Sequence, residues 1–285
     1  MRKNILVTGA NGQLGKTLKD LCSASNDQHY FTFASKTELD ISSKEDVSKF
    51  FSDNKFDYCI NCAAYTNVEQ AEESTDETFK INADAVEYLA QSCKRSGCTL
   101  IHISTDYVFD GSKKLPYLET DSTNPINAYG HSKLEGERRI IASMKNYFII
   151  RTSWLYSKYP KNFLTTIASK ILDNSDLTIT TSQTGTPTSC EALSRFIYWL
   201  ITSNSDNYGI YHYSAKGDGT WYDFAMKIAE NFSDYDYNKI SPTDSFKSKA
   251  ERPSYSVMDN SKVQKLYPHQ DFWYNELKIV LQEFK

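Results

Sequence analysis

Glycine is scarce in this sequence, accounting for only 11 of its 285 residues. Three of the 11, Gly9, Gly12 and Gly15, nevertheless lie together near the start of the chain. Glycine tolerates tight turns and a close approach of the backbone to a ligand better than any other residue. The cluster therefore marks one segment as a candidate ligand-binding turn in a chain long enough for one large or two modest domains.

The sequence also lacks a long apolar run and an excess of basic residues. No stretch approaches the ~18 apolar residues of a membrane-spanning helix, and the mean hydropathy is -0.55, so no membrane partner is expected. The apolar residues 5–7 are too few for the core of a signal peptide, and we expect a cytoplasmic protein. The net charge of -4 argues against a nucleic-acid partner, because such a surface needs a basic stripe.

A second cysteine pair with zinc-ligand spacing is absent. Cys59 and Cys62 form a C-x-x-C, but Cys93 and Cys98 have four residues between them, which fits a zinc site poorly. Residues 58–63 are typical of a buried strand, whereas a redox C-x-x-C begins a helix. In a cytosolic protein the six cysteines are interpreted as reduced, buried thiols.

Short apolar runs alternate with helical patterns in the first half of the chain. Helices are predicted to begin near residues 14, 42, 68 and 129, the second of them at a capping box formed by Ser42 and Glu45. Strands are predicted at residues 5–7, 31–34, 58–63, 99–104 and 148–151. Because these strands are continuously apolar and each is followed by a helix, they indicate a parallel sheet covered on both faces. The predicted fold class is α/β, a Rossmann-type doubly wound parallel sheet with a smaller C-terminal substrate domain.

The alternation becomes less regular after about residue 155. Helices are predicted at residues 163–172, 190–202 and 221–231, strands at 177–181 and 209–213, a loop at 241–256 and a closing helix from about 274. We expect a dinucleotide-binding domain over residues 1–155, to which the chain returns around 178–215. Residues 156–177 and 216–285 would then form the substrate-binding domain.

The glycine cluster follows a predicted strand and precedes a helix, in the pattern G-x-x-G-x-x-G. In a dinucleotide-binding turn, Gly9 would permit the tight turn, Gly12 would leave room for a pyrophosphate, and Gly15 would let the helix pack closely. The free N–H groups and positive dipole end of the helix favour phosphate binding. These features predict a dinucleotide cofactor at this turn.

The end of the second predicted strand indicates which dinucleotide binds. An acidic residue that would hold the adenosine ribose 2′-hydroxyl is absent there, and the strand ends with Ser35 and Lys36. A hydroxyl and a cation suit a 2′-phosphate better, which favours NADPH over NADH, although Lys36 also fits an ordinary solvated loop lysine. Asp40 and Ile41 are expected to flank the adenine.

Tyr129 and Lys133 form a Y-x-x-x-K pattern, which places both side chains on one face of a helix. A nearby ammonium is expected to lower the pKa of the phenol. The phenol can then donate a proton to a carbonyl oxygen as a general acid, and the lysine can also hydrogen-bond the nicotinamide ribose. The pair therefore predicts reduction of a carbonyl group.

The same spacing recurs elsewhere, and position separates the three cases. Tyr235 lies in an acidic loop and Tyr274 on the terminal helix. Only Tyr129 begins a helix that follows a strand ending in hydroxyls, at Ser104 and Thr105. Because ligands bind at the carboxyl ends of parallel strands, Thr105 is expected to point at the carbonyl that Tyr129 protonates.

The glycine motif together with the Tyr129 and Lys133 pair resembles the extended short-chain dehydrogenase/reductase family. Further segments are similar to sugar-nucleotide reductases of that family, and the similarity runs over essentially the whole chain. These segments are residues 61–66, 104–111, 151–154, 185–188 and 252–256. The resemblance implies hydride transfer from NADPH or NADH to the C4 keto group of a 4-keto-6-deoxy sugar, with a dTDP-sugar as the substrate.

The resemblance also implies roles for individual residues. The catalytic residues would be Thr105, Tyr129 and Lys133. To the cofactor contacts inferred above, it adds Gln13, Leu14, Ala63, Ala64, Tyr65 and Tyr129. Substrate contacts would come from Thr105, Asp106, Trp154 and Arg252, of which Trp154 also fits core packing and Arg252 a surface loop.

Two departures from the family pattern sharpen these expectations. Family dehydratases place a second acid two residues after the strand-four threonine, whereas Tyr107 stands there in this chain, so elimination of water is not expected. Some relatives dimerise through a magnesium ion bridged by glutamates. One matching position here is Thr17, which leaves Glu191 as a single acid, and one carboxylate binds a hard cation weakly. We expect no required metal, and a monomer or a weak homodimer.

Two other functions stay open at the level of sequence. A non-catalytic dinucleotide-binding protein similar to the regulatory subunit of methionine adenosyltransferase would share the fold, although the intact Thr105, Tyr129 and Lys133 set favours catalysis. A sugar-nucleotide epimerase or dehydratase would act without net consumption of the cofactor.

Overall fold

A computed structural model describes residues 2–24, 29–245 and 247–283 of the protein. The strands are β1 (Asn4–Thr8), β2 (Tyr30–Ala34), β3 (Tyr58–Asn61), β4 (Thr99–Thr105), β5 (Tyr147–Thr152), β6 (Leu155–Tyr156), β7 (Leu177–Thr180), β8 (Thr184–Gly185), β9 (Thr188–Ser189), β10 (Gly209–His212), β11 (Gly219–Thr220) and β12 (Ile240–Thr243). The helices are α1 (Gln13–Ala24), α2 (Lys44–Asp53), α3 (Val68–Ala71), α4 (Thr75–Phe79), α5 (Ala85–Ser96), α6 (Ala128–Ser143), α7 (Phe163–Leu172), α8 (Cys190–Thr202), α9 (Trp221–Ala229), α10 (Ser261–Leu266) and α11 (Trp273–Gln282).

A six-stranded sheet forms the centre of the molecule, in the order β2-β1-β3-β4-β5-β10. Every pair of neighbouring strands is parallel. Consecutive residues Ile5, Leu6 and Val7 of β1 are all fully buried, because helices cover both faces of the sheet. The α/β, Rossmann-type doubly wound fold predicted from the sequence is therefore confirmed.

The two faces of the sheet carry separate hydrophobic clusters. On one face, Leu14 and Leu18 of α1 pack with Phe196 of α8 and Val263 of α10. On the other, helices α2, α5 and α6 pack against residues such as Leu6 of β1. The strand order reverses around β1 and β3, which creates a crevice at the carboxyl ends of these strands, where doubly wound sheets bind ligands.

Three local predictions differ from the structure. The capping box at Ser42 is wrong, because Asp40 accepts hydrogen bonds from the Ser42 N–H and hydroxyl, and Ser43 caps α2 instead by accepting from the Asp46 N–H. The predicted strand at residues 58–63 ends at Asn61. The helical stretch predicted from residue 68 to about residue 95, in two pieces, is instead divided into four parts, which are α3, α4, a π-helical turn at Lys80–Asp84, and α5.

A second, smaller lobe gathers around α7, α9 and α11, whose apolar residues share one cluster with Ile240 of β12. The strand β10 returns to the central sheet beside β5, as expected for part of residues 178–215. The return does not include β7, which pairs with β12 in a separate two-stranded sheet. The prediction of a loop at residues 241–256 is wrong at its start, because β12 forms there by pairing with β7. The domain limits themselves stay a prediction.

Across the three described ranges, every helix is too short or too polar to cross a membrane.

Candidate active site

The glycine turn between β1 and α1 is built as its sequence predicts. Gly9 has a φ of +67°, and a Cβ there would lie 2.6 Å from the Ala63 backbone nitrogen. A Cβ on Gly15 would lie 2.5 Å from the Gly9 carbonyl oxygen, so this position also admits only glycine. Gly12 is exposed, and a Cβ on it would meet only the Gly9 oxygen at 3.3 Å. The turn thus offers bare backbone and the start of α1 to the crevice.

Two cavities meet at this turn and share Asn11, Gly12, Cys62 and Ala64 in their walls. The larger has a volume of about 430 Å³ and is also lined by these predicted site residues: Gln13, Leu14, Gly15, Thr105, Asp106, Tyr129, Lys133 and Trp154. The smaller has a volume of about 310 Å³ and is also lined by Gly9, Ser35, Lys36, Asp40, Ile41 and Ala63. Together they form one cleft along the carboxyl ends of the central strands.

Two predicted site residues do not line either cavity. The backbone of Tyr65 is paired with the side chain of Asn82, which accepts from its N–H at 2.8 Å and donates to its carbonyl at 3.0 Å. Arg252 donates to Glu69 at 2.6 Å. The structure therefore brings the three proposed catalytic residues together and leaves these two aside.

Tyr129 is the second residue of α6, whose start is fixed by its neighbours. Asn127 caps the helix by accepting from the Gly130 N–H at 2.7 Å, and the Tyr107 ring packs edge-on against the Tyr129 ring. Burial raises the pKa of the Tyr129 phenol to about 12, while the Thr105 hydroxyl lowers it and the Asp106 charge raises it. The phenol is therefore protonated at neutral pH.

Lys133 lies one turn further along α6 and is 2% exposed. Its ammonium donates to the Ile103 carbonyl at 2.7 Å, and burial lowers its pKa to about 8, against the raising effects of Glu137 and Cys62. The expected lowering of the Tyr129 pKa by this lysine is not seen. The phenol responds to burial, Thr105 and Asp106, because the lysine is directed toward β4.

Thr105 and Asp106 are buried at the end of β4. The Thr105 hydroxyl donates to Asp106 Oδ1 at 3.0 Å and accepts from the Tyr107 N–H at 3.2 Å. Burial raises the pKa of Asp106 to about 6, although hydrogen bonds from Ser256 and Thr105 lower it. A buried carboxyl that ionises so reluctantly is a common feature of functional sites.

Trp154 has a left-handed backbone, with a φ of 46°, and its ring stacks on that of Trp221 with centroids 3.6 Å apart. A Cβ on Gly185 would lie 2.6 Å from Trp154 Cε2, so the indole is enclosed by the strand β8 and the helix α9. Trp221 donates its indole N–H to Gln183 at 3.0 Å. Trp221 is not predictable from the sequence as a site residue, because its place beside Trp154 depends on the tertiary fold.

Two further features of the site were missed. Glu137 lies one turn after Lys133 and is buried with Arg151, which donates to it at 2.7 Å. The two residues lie on different elements, α6 and β5, so no spacing in the sequence signals the pair. Glu38 accepts from both the N–H and the hydroxyl of Ser35. An acid is therefore present beside the end of β2, supplied by the turn rather than by the strand.

Comparison with known proteins agrees with this geometry. The family model described as "RmlD substrate binding domain" matches residues 2–285. A dTDP-4-dehydrorhamnose reductase from Aggregatibacter actinomycetemcomitans is 35% identical over 97% of this chain and 97% of its own. The crystal structure of a dTDP-4-dehydrorhamnose reductase from Clostridium acetobutylicum is 37% identical, with a TM-score of 0.92 and 99% of both chains covered.

A dTDP-4-dehydrorhamnose reductase from Bacillus anthracis, solved in complex with NADP, is 33% identical, with a TM-score of 0.93 and coverage of 99% of this chain and 100% of that one. Similarity of this extent in both sequence and structure establishes common family membership. The chain therefore belongs to the RmlD family of oxidoreductases, together with these dTDP-4-dehydrorhamnose reductases.

Proposed function

We propose that this protein reduces the C4 keto group of dTDP-4-dehydro-L-rhamnose to give dTDP-L-rhamnose, a nucleotide sugar used in cell-surface polysaccharide synthesis. The observation that carries the proposal is the convergence of Thr105, Tyr129 and Lys133 on one cavity that adjoins the glycine turn. Proteins of the same family that match nearly the whole chain bear the corresponding name.

The cleft fits a nicotinamide dinucleotide. Exposed Gly12 leaves the backbone open at the point where both cavities meet, and the N-terminus of α1 favours a pyrophosphate there. The adenosine half would occupy the smaller cavity beside Asp40 and Ile41, with the nicotinamide half near Lys133. When bound, the reduced cofactor supplies the hydride that the C4 carbon receives.

The proton is supplied by this chain. The carbonyl becomes a hydroxyl when a hydride reaches carbon and Tyr129 transfers its phenolic proton to oxygen. The high pKa of Tyr129, about 12, keeps that proton in place until negative charge develops on the substrate oxygen. Thr105, within reach of the same phenol, would orient the carbonyl between the two hydroxyls.

The remaining contacts hold the sugar nucleotide. Asp106 and Trp154 line the larger cavity, where a carboxyl can bind a sugar hydroxyl and an indole can pack on the ring. Arg252 is proposed to bind the diphosphate, for which its guanidinium geometry is suited. It would then exchange its present partner Glu69 for the substrate.

NADPH is proposed as the preferred cofactor. Lys36 lines the smaller cavity, where its charge would favour a 2′-phosphate, and the Bacillus anthracis relative was solved with NADP. Glu38 opposes this preference, because its carboxylate accepts a hydrogen bond from Ser35 and its negative charge would repel a 2′-phosphate there. NADH is therefore expected to support turnover as well, with a higher KM.

The protein is proposed to work as a monomer or weak homodimer with no required metal. Thr17 is buried, and its hydroxyl donates to the Gln13 carbonyl at 2.9 Å, so it offers no charge to a cation. Light scattering and activity in the presence of magnesium or of a chelator test this. Loss of activity or dissociation of a stable dimer on chelation would overturn it.

The experiment that tests the function is incubation of the purified protein with dTDP-4-dehydro-L-rhamnose and either NADPH or NADH. We expect consumption of one reduced cofactor for each dTDP-L-rhamnose formed. An isomerised or dehydrated sugar without cofactor consumption would instead indicate an epimerase or a dehydratase. No reaction with either cofactor would favour a non-catalytic binding protein.

A further inference from the structure

A chain of polar side chains lies directly beneath the cleft, buried in the sheet. Thr8, Asn61, His102 and Lys133 are each no more than 2% exposed, and they come from β1, β3, β4 and α6. The Thr8 hydroxyl donates to Asn61 Oδ1 at 2.7 Å. Asn61 Nδ2 lies 3.1 Å from His102 Nδ1, and His102 Nε2 lies 3.4 Å from Lys133 Nζ. Of the four, only Lys133 lines the larger cavity.

The direction of these hydrogen bonds is fixed at Asn61. Its Oδ1 accepts from the Ala63 N–H at 3.2 Å as well as from Thr8, so the amide nitrogen is the atom that faces His102. An amide nitrogen only donates, and His102 Nδ1 must therefore accept. The neutral imidazole then carries its proton on Nε2, which is the nitrogen facing Lys133.

With its proton on Nε2, His102 interacts differently with the charged and the neutral form of Lys133. An ammonium has no lone pair to accept the His102 N–H, whereas a neutral amine has one. We propose that Asn61 and His102 are positioning residues that set the charge state of Lys133, because the imidazole N–H held in place by Asn61 stabilises the neutral amine. The consequence of this arrangement for catalysis rests on the proposed function.

The other groups that face Lys133 favour its charged form. Glu137, one turn along α6, and Cys62, after β3, both raise the pKa of Lys133. Glu137 is itself paired with Arg151 and accepts from the Ser104 hydroxyl, which reduces its pull on the ammonium. Burial lowers the pKa of His102 well below its usual value, and the charge of Lys133 lowers it further. His102 is therefore neutral whenever Lys133 titrates.

The direct test is the pKa of Lys133, measured by NMR titration of the lysine Cε resonances and assigned with Lys133→Met. Asn61→Asp replaces the donor with an acceptor, so the His102 proton moves to Nδ1 and Nε2 becomes an acceptor for the ammonium. We expect the Lys133 pKa to rise by at least about one unit. In a His102→Phe background the same substitution should have at most about half that effect, because only its added charge then acts.

A matched control is available on the neighbouring strand. His212 is as buried as His102, but its ring nitrogens face Arg151 and the Tyr117 carbonyl instead of Lys133. His212→Phe should therefore change the Lys133 pKa much less than His102→Phe, which alone should raise it. The inference is overturned if His102→Phe has no effect, or if Asn61→Asp raises the pKa equally in both backgrounds. If Asn61→Asp does not fold, the two histidine variants decide alone.

The result is separable from the proposed function. In active protein, the pH dependence of kcat should shift with the Lys133 pKa in the His102 and Asn61 variants and move much less in His212→Phe. A shift of the NMR pKa without any reductase activity would contradict the proposed function and leave this inference standing. Reductase activity with an unmoved pKa would do the reverse.

Discussion

Tyr129 is the residue on which the proposed chemistry depends, because its phenol is the proton donor to the substrate oxygen. We predict that Tyr129→Phe retains cofactor binding and lowers kcat by a factor of about 10²–10⁴, the usual contribution of a general acid. Tyr274→Phe is the matched control, since Tyr274 also precedes a lysine by four residues but is exposed on α11. Near-normal turnover in Tyr129→Phe would remove the residue from this role.

Asp106 is a site residue whose ionised form lowers the free energy of unfolding. Its folded pKa of about 6 lies above the ordinary value of 3.8, so the folded state binds the proton more tightly than the unfolded state does. The protonated carboxyl favours folding below about pH 4, and this contribution is lost as the pH rises through about 6. Ionisation of Asp106 therefore destabilises the fold at neutral pH.

We predict that Asp106→Asn removes this pH dependence. At about pH 7.5 the variant should be more stable by up to about 3 kcal/mol, the equivalent of the two-unit pKa difference, and at about pH 4 the two proteins should be equal. Urea unfolding at both pH values measures this, with the exposed Asp53→Asn as control. An identical difference at both pH values would show that the pKa of Asp106 is not the cause.

At the scale of elements, the antiparallel pair of β8 and β11 holds Trp154. Gly185 and Gly219 are register partners in this pair, but only Gly185 touches the indole, where a Cβ would lie 2.6–2.8 Å from three ring atoms. We predict that Gly185→Ala displaces Trp154 and raises the KM for the sugar nucleotide more than the KM for the cofactor. Its partner variant Gly219→Ala, where a Cβ has ordinary contacts of 3.4 Å or more, should change neither. Equal effects from both variants would separate Gly185 from substrate binding.

The turn between β2 and α2 is the element that should decide cofactor choice. Lys36 would favour the 2′-phosphate of NADPH, while the Glu38 carboxylate, held by Ser35, would oppose it. We predict that Lys36→Ala raises the KM for NADPH more than that for NADH, and that Glu38→Gln lowers the KM for NADPH selectively. Steady-state kinetics with both cofactors measure these KM values. Equal changes in KM for NADPH and NADH would mean that neither side chain distinguishes the 2′-phosphate.

Elements with strong local signals were predictable from the sequence. The helices Phe163–Leu172 and Cys190–Thr202 have the predicted bounds, because their apolar residues recur at helical spacing and Asn162 and Ser189 cap them. By contrast, β12 contains Pro242, which weakens a strand signal, and β12 exists only because β7 lies beside it. The six-residue α10 is too short for its periodicity to be recognised.

The candidate site was predictable only where chemistry is encoded within one segment. The glycine turn and the Tyr129–Lys133 spacing are local patterns, so the sequence alone identified them. The stacking of Trp154 on Trp221 and the Glu137–Arg151 pair each join residues on different secondary-structure elements. The fold alone brings these together, and no local pattern reports them.

At the scale of the whole molecule, the cleft combines the carboxyl ends of the central strands with the second lobe. The glycine turn belongs to the sheet domain, whereas Pro160 and Lys161, which also line the larger cavity, lead into α7. A cofactor and a sugar nucleotide could therefore meet between the two parts of the molecule. This arrangement predicts that hydride passes directly from the cofactor to the sugar carbon within one cleft.

Transfer of deuterium from NADPH labelled at the transferable position tests whether hydride passes directly from the cofactor to the sugar. With dTDP-4-dehydro-L-rhamnose as substrate, NMR of the product should show one deuterium on C4 of dTDP-L-rhamnose for each cofactor oxidised. Turnover of the sugar that leaves C4 unlabelled, or no oxidation of the cofactor at all, would contradict direct hydride transfer by this protein.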